Sequence, residues 1–292
     1  MLYFGLSTEH LKKWFQKSHR ILPTICHQFP DGEQCFSVPE SVKGHHVFLI
    51  HSLSPHNYME LFTQVATLQK HEALVHLIMP YAAYTRSLNI PIFPRFINAL
   101  NLESLTLLDV HTPELLDMIS IPTTHLSAMD MFKDHILEKF SKEHALIVSP
   151  DRGGKNRVDY LCQVTGFSKV YMDKQRINGQ IHSQLEQGSV SGKVCVLVDD
   201  VIDSGQTILK AACVLREKGA REVHVYATHG VFSTLPFSSI EWQNLNSITV
   251  TDSCPPVVGV NILSISPLLE HIERRLFFEY NVFKKAQQSQ WF

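Results

Sequence analysis

The residues best equipped for chemistry stand together in Asp199-Asp200-Val201-Ile202-Asp203-Ser204-Gly205-Gln206-Thr207, directly after the apolar run Val194–Val198. A buried strand would deliver the two adjacent carboxylates to its carboxyl end, where open α/β sheets bind ligands. The loop around Gly205, with hydroxyls at Ser204 and Thr207, then opens a helical pattern. Backbone N–H groups at a helix start, joined by hydroxyls, make a cradle for phosphate. Carboxylates do not suit the phosphate itself, but they accept hydrogen bonds from sugar hydroxyls and can hold a divalent cation. Acid beside a phosphate cradle therefore reads as a sugar-phosphate pocket. The blander reading is an exposed acidic turn with an ordinary N-cap. Two acids immediately after an unbroken apolar strand favour the pocket.

Other chemical groups close other apolar runs. Lys174-Gln175-Arg176 follows Lys169–Met172 in a polar stretch, Asp173–Gln187, that reads as a loop. Two cations on such a loop can meet charge that develops during a group transfer, though taken alone they read as a solvated surface pair. His111 follows Leu105–Val110, and Asp151 follows Ala145–Val148. By themselves these two read as a turn residue and a helix N-cap. Asp31 and Glu33 flank Gly32 in a Pro-Asp-Gly turn.

The elements that must position these groups alternate along the chain. Strands are expected at Val47–Ile50, Leu74–Met79, Leu105–Val110, Ala145–Val148, Lys169–Met172, Val194–Val198, Val223–Thr228, Ser247–Val250 and Asn261–Ser264. Several are unbroken apolar runs, the pattern of strands covered on both faces. Helices are expected at Tyr58–Gln69, with Leu61, Phe62, Val65 and Leu68 on its apolar stripe, and at Thr207–Lys218, with Ile208, Ala211, Ala212 and Leu215. Gly219 stands where a helix C-terminus wants glycine. The alternation predicts an α/β protein with mainly parallel sheets flanked by helices. A boundary near residue 140 divides it into domains 1–140 and 141–292, the second ending in a helix and an aromatic-rich tail.

A length of 292 residues suits two domains at the usual ~150 each. The 26 basic and 28 acidic residues give a net charge of −2, with no basic run, which speaks against nucleic acid as a partner. No apolar stretch approaches the ~20 residues needed to span a bilayer, and Glu9, Lys12 and Lys13 break the apolar start. Six scattered cysteines without a C-x-x-C pattern read as reduced, mostly buried thiols and, with the rest, as a cytoplasmic protein.

Asp199–Thr207 resembles the phosphoribosyl-diphosphate-binding loop of type I phosphoribosyltransferases and of ribose-phosphate pyrophosphokinases. Further motifs resemble the pyrophosphokinases: Phe29-Pro30-Asp31-Gly32-Glu33, Val38–Val47, Met59-Glu60-Leu61, Pro80–Arg86 (PYAAYTR), Asp109-Val110-His111, Ser149–Gly154 (SPDRGG) and Thr228–Ser233 (THGVFS). The resemblance runs in consistent order over about residues 27–270. It implies two tandem domains like those of type I phosphoribosyltransferases, and transfer of a diphosphoryl group from ATP to the 1-hydroxyl of ribose 5-phosphate. It implies that Asp199 and Asp203 hold ribose hydroxyls, that Ser204, Gly205, Gln206 and Thr207 cradle the 5-phosphate, and that Asp200 shares the acidic site. Lys174 and Arg176 become the catalytic cations, and His111 and Asp151 the magnesium positions. Phe29, Asp31, Glu33 and Arg86 become the ATP contacts, the first three reaching an adjacent subunit of a homo-oligomer, with dimers as the building block of a hexamer. The pattern breaks after Arg86, where Ser87-Leu88-Asn89-Ile90 replaces a Gln-Asp pair and a basic run. That break leaves open an altered diphosphoryl donor, or a non-catalytic homologue that regulates a synthase. A phosphoribosyltransferase would share the loop but not need the first half.

Overall fold

The computed structural model describes residues 1–15, 20–177, 180–186, 188–234 and 240–270. They form two compact units, one of Met1–Leu126 together with the described residues from Ser264 on, the other of Ser127–Leu263. The first unit contains β1 (Leu2–Phe4), α1 (Lys12–Phe15), β2 (Ile25–Gln28), β3 (Gln34–Ser37), β4 (His46–Ile50), α2 (Tyr58–Lys70), β5 (Leu74–Met79), α3 (Ile92–Asn98), β6 (Ser104–Leu108) and β7 (Thr123–Leu126). Its main sheet runs β1-β4-β5-β6-β7, every neighbouring pair parallel. β2 and β3 stand apart as an antiparallel hairpin.

The second unit contains α4 (Met129–Lys139), β8 (Ala145–Ser149), α5 (Lys155–Thr165), β9 (Ser168–Ile177), β10 (Gln180–Leu185), β11 (Val194–Ile202), α6 (Gln206–Glu217), β12 (Glu222–Gly230), β13 (Ser247–Thr251) and β14 (Asn261–Leu263). Its sheet runs β10-β9-β8-β11-β12-β13-β14, parallel throughout except at the β9–β10 edge. The protein is thus α/β with two mainly parallel sheets, as its strand–helix alternation leads one to expect.

The central strands form where both faces are covered. β8 is buried along its whole length, and β11 at every position but Val201. On one side of β11, Cys195 and Leu197 share a core with Ile208, Ala211, Ala212 and Leu215 of α6 and Val223 and Val225 of β12. The α6 helix ends as its glycine requires. Gly219 takes φ +88°, its N–H bonds to the Arg216 carbonyl, and the Ala220 N–H bonds to the Leu215 carbonyl. This pair of bonds is the Schellman arrangement.

Several expectations need correction. Asp173–Gln187 does not read out as a loop: residues to Ile177 continue β9, and Gln180–Leu185 return as β10. Polar residues hide this ribbon because an edge hairpin needs no apolar face. Phe62 lies off the buried stripe of α2, 43% exposed, while Glu60 and Gln64 are buried there. Of the six cysteines, Cys195 and Cys254 are buried, whereas Cys35 and Cys213 lie exposed on β3 and α6. Residues 266–270 are helical, and the aromatic tail from Phe277 lies outside the described residues. Among the described residues no helix is long and apolar enough to cross a membrane.

Leu197 is fully buried between α6 and the sheet. Leu197→Ala should therefore lower stability by about 2–5 kcal/mol, measured as a shift in the equilibrium urea unfolding curve.

Candidate active site

The carboxyl ends of β8, β11 and β12 lie side by side, since β11 pairs with β8 through Leu197 and with β12 through Ile202. From β11 the chain delivers Asp199 and Asp200, turns through Asp203, Ser204 and Gly205, and enters α6 at Gln206. Gly205 is the N-cap, with φ +73° and ψ −6°, a left-handed conformation that side chains resist. A Cβ there would also come within 2.7 Å of the Trp242 ring. Glycine is required twice over, for its backbone and for the indole beneath it. With glycine as its N-cap, α6 has no capping side chain at that position, and the backbone N–H groups of a helix start suit a phosphate. Ser204 and Gln206 are exposed, and Thr207 is half-buried.

The carboxylates behind this cradle are buried and crowded. Arg157, on α5, reaches both: its Nη2 lies 3.1 Å from Asp199 Oδ1 and 2.5 Å from Asp200 Oδ1. The Asp200 backbone N–H donates to Asp199 Oδ1 at 2.9 Å. Burial, and then the neighbouring Asp200 charge, push the Asp199 carboxyl up from its ordinary range, and the Arg157 guanidinium opposes them. Asp203 is held differently, by the Ser233 hydroxyl that donates to its Oδ1. Ser233 arrives because the Val231 and Phe232 N–H groups bond to the Ile202 carbonyl, hooking the end of β12 over β11. Phe232 takes φ +49° to make that hook, a strained backbone of the kind found at functional sites.

Asp151 begins the neighbouring loop. Its carboxylate accepts from the Gly153 N–H at 3.0 Å, and its carbonyl accepts from the Ser149 hydroxyl at 2.6 Å. Gly154 passes close to β8 and β11: a Cβ on it would lie 2.6 Å from Ser149 Oγ and 3.6 Å from the Val198 carbonyl oxygen. The Asp151 charge acts on Asp199. Lys174 and Arg176 lie on β9 beyond its pairing with β8, where the ladder is with β10.

Five positions fall on the first unit. Phe29, Asp31 and Glu33 form the exposed tip of the β2–β3 hairpin. There the Phe29 N–H bonds to the Glu33 carbonyl, the Gly32 N–H bonds to the Phe29 carbonyl, and the Glu33 N–H bonds to the Asp31 carboxylate. The Phe29 ring lies edge-on to His27 at 4.7 Å between centroids. Arg86 is exposed after a segment that extends the sheet, where Leu53 and Ala82 bridge in parallel and the Thr85 hydroxyl bonds to the Ala82 carbonyl. His111, exposed, follows a bend in which Asp109 takes φ +38° and His125 Nε2 accepts from the Val110 N–H at 3.0 Å.

Arg157, Trp242 and His125 are absent from any reading of the motifs, and Ser233 enters only as the last residue of Thr228–Ser233, without a role. Arg157 is a basic residue in an amphipathic helix pattern, and its two targets lie 42 and 43 residues away. Only the two neighbouring acids hint that some cation must answer them.

Two family models match the chain: the N-terminal domain of ribose phosphate pyrophosphokinase over residues 9–90, and the phosphoribosyl synthetase-associated domain over residues 182–280. Ribose-phosphate pyrophosphokinase of Campylobacter jejuni is 32% identical over 272 residues, 87% of this chain and 88% of that protein. The corresponding protein of Haemophilus ducreyi is 30% identical over 277 residues, again 87% and 88% of the two chains. The chain belongs to the ribose-phosphate pyrophosphokinase family. A crystal structure of phosphoribosylpyrophosphate synthetase from Mycobacterium smegmatis superposes with a TM-score of 0.82 at 25% identity, covering 96% of this chain and 99% of that one. The fold is thus that of the family. Asp199–Thr207 falls inside the second matched stretch. Asp31, Glu33 and Arg86 fall inside the first, while His111, Asp151, Lys174 and Arg176 lie between the two.

The Gly205–Trp242 contact can be tested without any ligand. Gly205→Ala should cost about 1–2 kcal/mol for the left-handed backbone alone, and more for the indole it displaces. Combining it with Trp242→Ala should return the second part of that loss, read as non-additivity in a urea-unfolding double-mutant cycle.

Proposed function

We propose that this protein is a ribose-phosphate pyrophosphokinase, transferring a diphosphoryl group from ATP to the 1-hydroxyl of ribose 5-phosphate for nucleotide biosynthesis in the cytoplasm. One observation carries the reading: a buried acid pair near the carboxyl end of β11, followed after the short turn Asp203–Gly205 by the start of α6, with glycine as its N-cap. Sugar hydroxyls suit the first, and a phosphate suits the second. In this reading Ser204, Gly205, Gln206 and Thr207 take the 5-phosphate, and Asp199 and Asp203 accept from the ribose hydroxyls. The pentose is then fixed at both ends, with its 1-hydroxyl free to react. The 1-hydroxyl oxygen bonds to the β-phosphorus of ATP as the bond from that phosphorus to the bridging oxygen of the α-phosphate breaks. AMP leaves, and the hydroxyl proton passes to solvent.

Such a transfer asks a protein for positioning and charge neutralisation rather than covalent chemistry. Lys174 and Arg176 supply positive charge for the transferring group. The first 140 residues form the nucleotide side, where Phe29, Asp31, Glu33 and Arg86 contact ATP, and residues 141–292 the ribose-phosphate side. The exposed hairpin tip suits contact with a neighbouring copy, in dimers that build a hexamer.

Magnesium fits the acidic site. Asp151, Asp199 and Asp200 offer the hard oxygen donors it prefers, and Asp151 is close enough for its charge to act on Asp199. Among the described residues no three ligating side chains converge on one point. Asp151 would hold it beside Asp200, and His111 is a second position for it, directly or through water. When bound, the ion neutralises charge on the diphosphoryl group.

A second reading has its own support. Ser87–Ile90 is an exposed run without a cation or an acid, so the donor side differs from the family pattern while the ribose side keeps it. A donor other than ATP, or a non-catalytic role, would follow from that difference. Incubation with ribose 5-phosphate, magnesium and each of several nucleoside triphosphates separates these readings. The primary reading expects AMP and phosphoribosyl diphosphate from ATP, with Lys174→Ala lowering the rate by about a hundredfold or more. Monophosphate release from another triphosphate alone would select the altered donor, and release from none would select the non-catalytic role.

A further inference from the structure

Two ion pairs outside the phosphate cradle grip the ribbon that carries Lys174 and Arg176. Arg152, in the loop after β8, meets Asp173 twice, Nε to Oδ1 at 2.9 Å and Nη2 to Oδ2 at 3.1 Å. Lys155, the first residue of α5, places its Nζ 2.9 and 2.7 Å from the two carboxylate oxygens of Glu186, just beyond β10. The same ammonium lies 4.8 Å from the ring centroid of Tyr171 on β9. One turn further along α5, Asp159 bonds to both Lys169 and Tyr171. Residues 169, 171 and 173 alternate on one face of β9, so a single helix face is laced to a single strand face.

The place of these contacts gives them meaning. β9 pairs with β8 only as far as Tyr171, and from Met172 to Ile177 its ladder is with β10. The ribbon therefore leaves the sheet at Met172. Asp173, on β9, and Glu186, just past the end of β10, stand at that departure point, and both are held by the short segment Arg152–Lys155. The Asp173 side chain is 8% exposed, whereas Arg152 is 73% exposed. A surface ion pair contributes little, but a buried carboxylate depends on its cation. The two-pronged guanidinium contact fixes direction as well as attraction.

We propose that Arg152 and Lys155, with Asp173 and Glu186, are positioning residues: they set the angle at which the ribbon leaves the sheet, and hence where Lys174 and Arg176 stand. Arg152 adjoins Asp151, so the ribbon and the acidic loop are referenced to one rigid segment. This inference rests on the function proposed above for Lys174 and Arg176. It predicts a loss in turnover rather than in ribose 5-phosphate binding, because the cradle at α6 makes none of these contacts.

The test uses the full chain with Arg152→Gln, Arg152→Lys, Lys155→Met and the charge exchange R152D/D173R. Three measurements are made on each: amide hydrogen exchange along β9 and β10, kcat and KM with ATP, and calorimetric affinity for ribose 5-phosphate. Arg152→Gln should speed exchange in the ribbon, leave exchange in β11 and α6 unchanged, and lower kcat by about ten- to a hundredfold. Ribose 5-phosphate affinity should stay within about threefold, a difference below 1 kcal/mol. Arg152→Lys and the exchanged pair should each recover part of the loss. Unchanged exchange in Arg152→Gln would overturn the grip, and faster exchange with unaltered kcat would overturn the positioning role. A loss of kcat matched by an equal loss of affinity would also overturn it. Wild-type protein that releases no AMP would overturn the function proposed above, while the exchange data would still decide the grip.

Discussion

Two neighbouring carboxylates at the end of a buried strand are an electrostatic difficulty, and the second unit is organised around its resolution. Asp199 and Asp200 are removed from water and repel one another, and burial alone disfavours their charge. Arg157 reaches both from α5, which ties the helix before the ribbon to the strand before the cradle. The compensation is partial, since Asp199 still finds proton binding easier than an exposed aspartate would. An acid pair left in that state gains from any ligand that donates hydrogen bonds or brings a cation, the chemistry on which the proposed function draws.

The parallel sheet makes this arrangement available. Because β8, β11 and β12 run the same way, their carboxyl ends open on one edge, and three different loops meet there. Asp151 comes from the first, the acid pair and Gly205 from the second, and Ser233 from the third. Each loop is fixed by a close approach that a larger residue would spoil: Gly154 against Ser149, Gly205 against Trp242, and Gly230 against Phe232. Preorganised loops of this kind hold donors and acceptors in place before the ligand arrives. The lacing of α5 to β9 extends the same rigid frame to the root of the β9–β10 ribbon.

How much of this was legible in the sequence depends on which interactions are local. Leu74–Met79 reads as a strand to the residue because it is apolar at every position but His76 and mostly buried. Gly205 and the carboxylates are legible because strand, loop and helix start follow one another along the chain. The three-residue β1 is not legible: it exists through its pairing with β4 and the bond from the Met1 ammonium to the His46 carbonyl. The β9–β10 ribbon is hidden by its polar composition, and Phe62 misleads because apolar spacing does not distinguish the edge of a stripe from its centre. Arg157 and Trp242 act across long sequence separations, so only the folded chain shows them, and it alone pairs Ser233 with Asp203. Composition limits the class of partner, local spacing names the cradle, and topology supplies the groups that make the cradle work.

The central claim is that the acid pair and the α6 start grip opposite ends of one phosphorylated pentose. Its most direct test is a calorimetric titration of the full chain, with magnesium, against ribose 5-phosphate, ribose and inorganic phosphate separately. The account expects ribose 5-phosphate to bind at least about a hundredfold more tightly than either fragment. Asp199→Asn and Gly205→Ala should each remove most of that advantage. Equal affinity for ribose 5-phosphate and inorganic phosphate, with neither substitution having an effect, would contradict it.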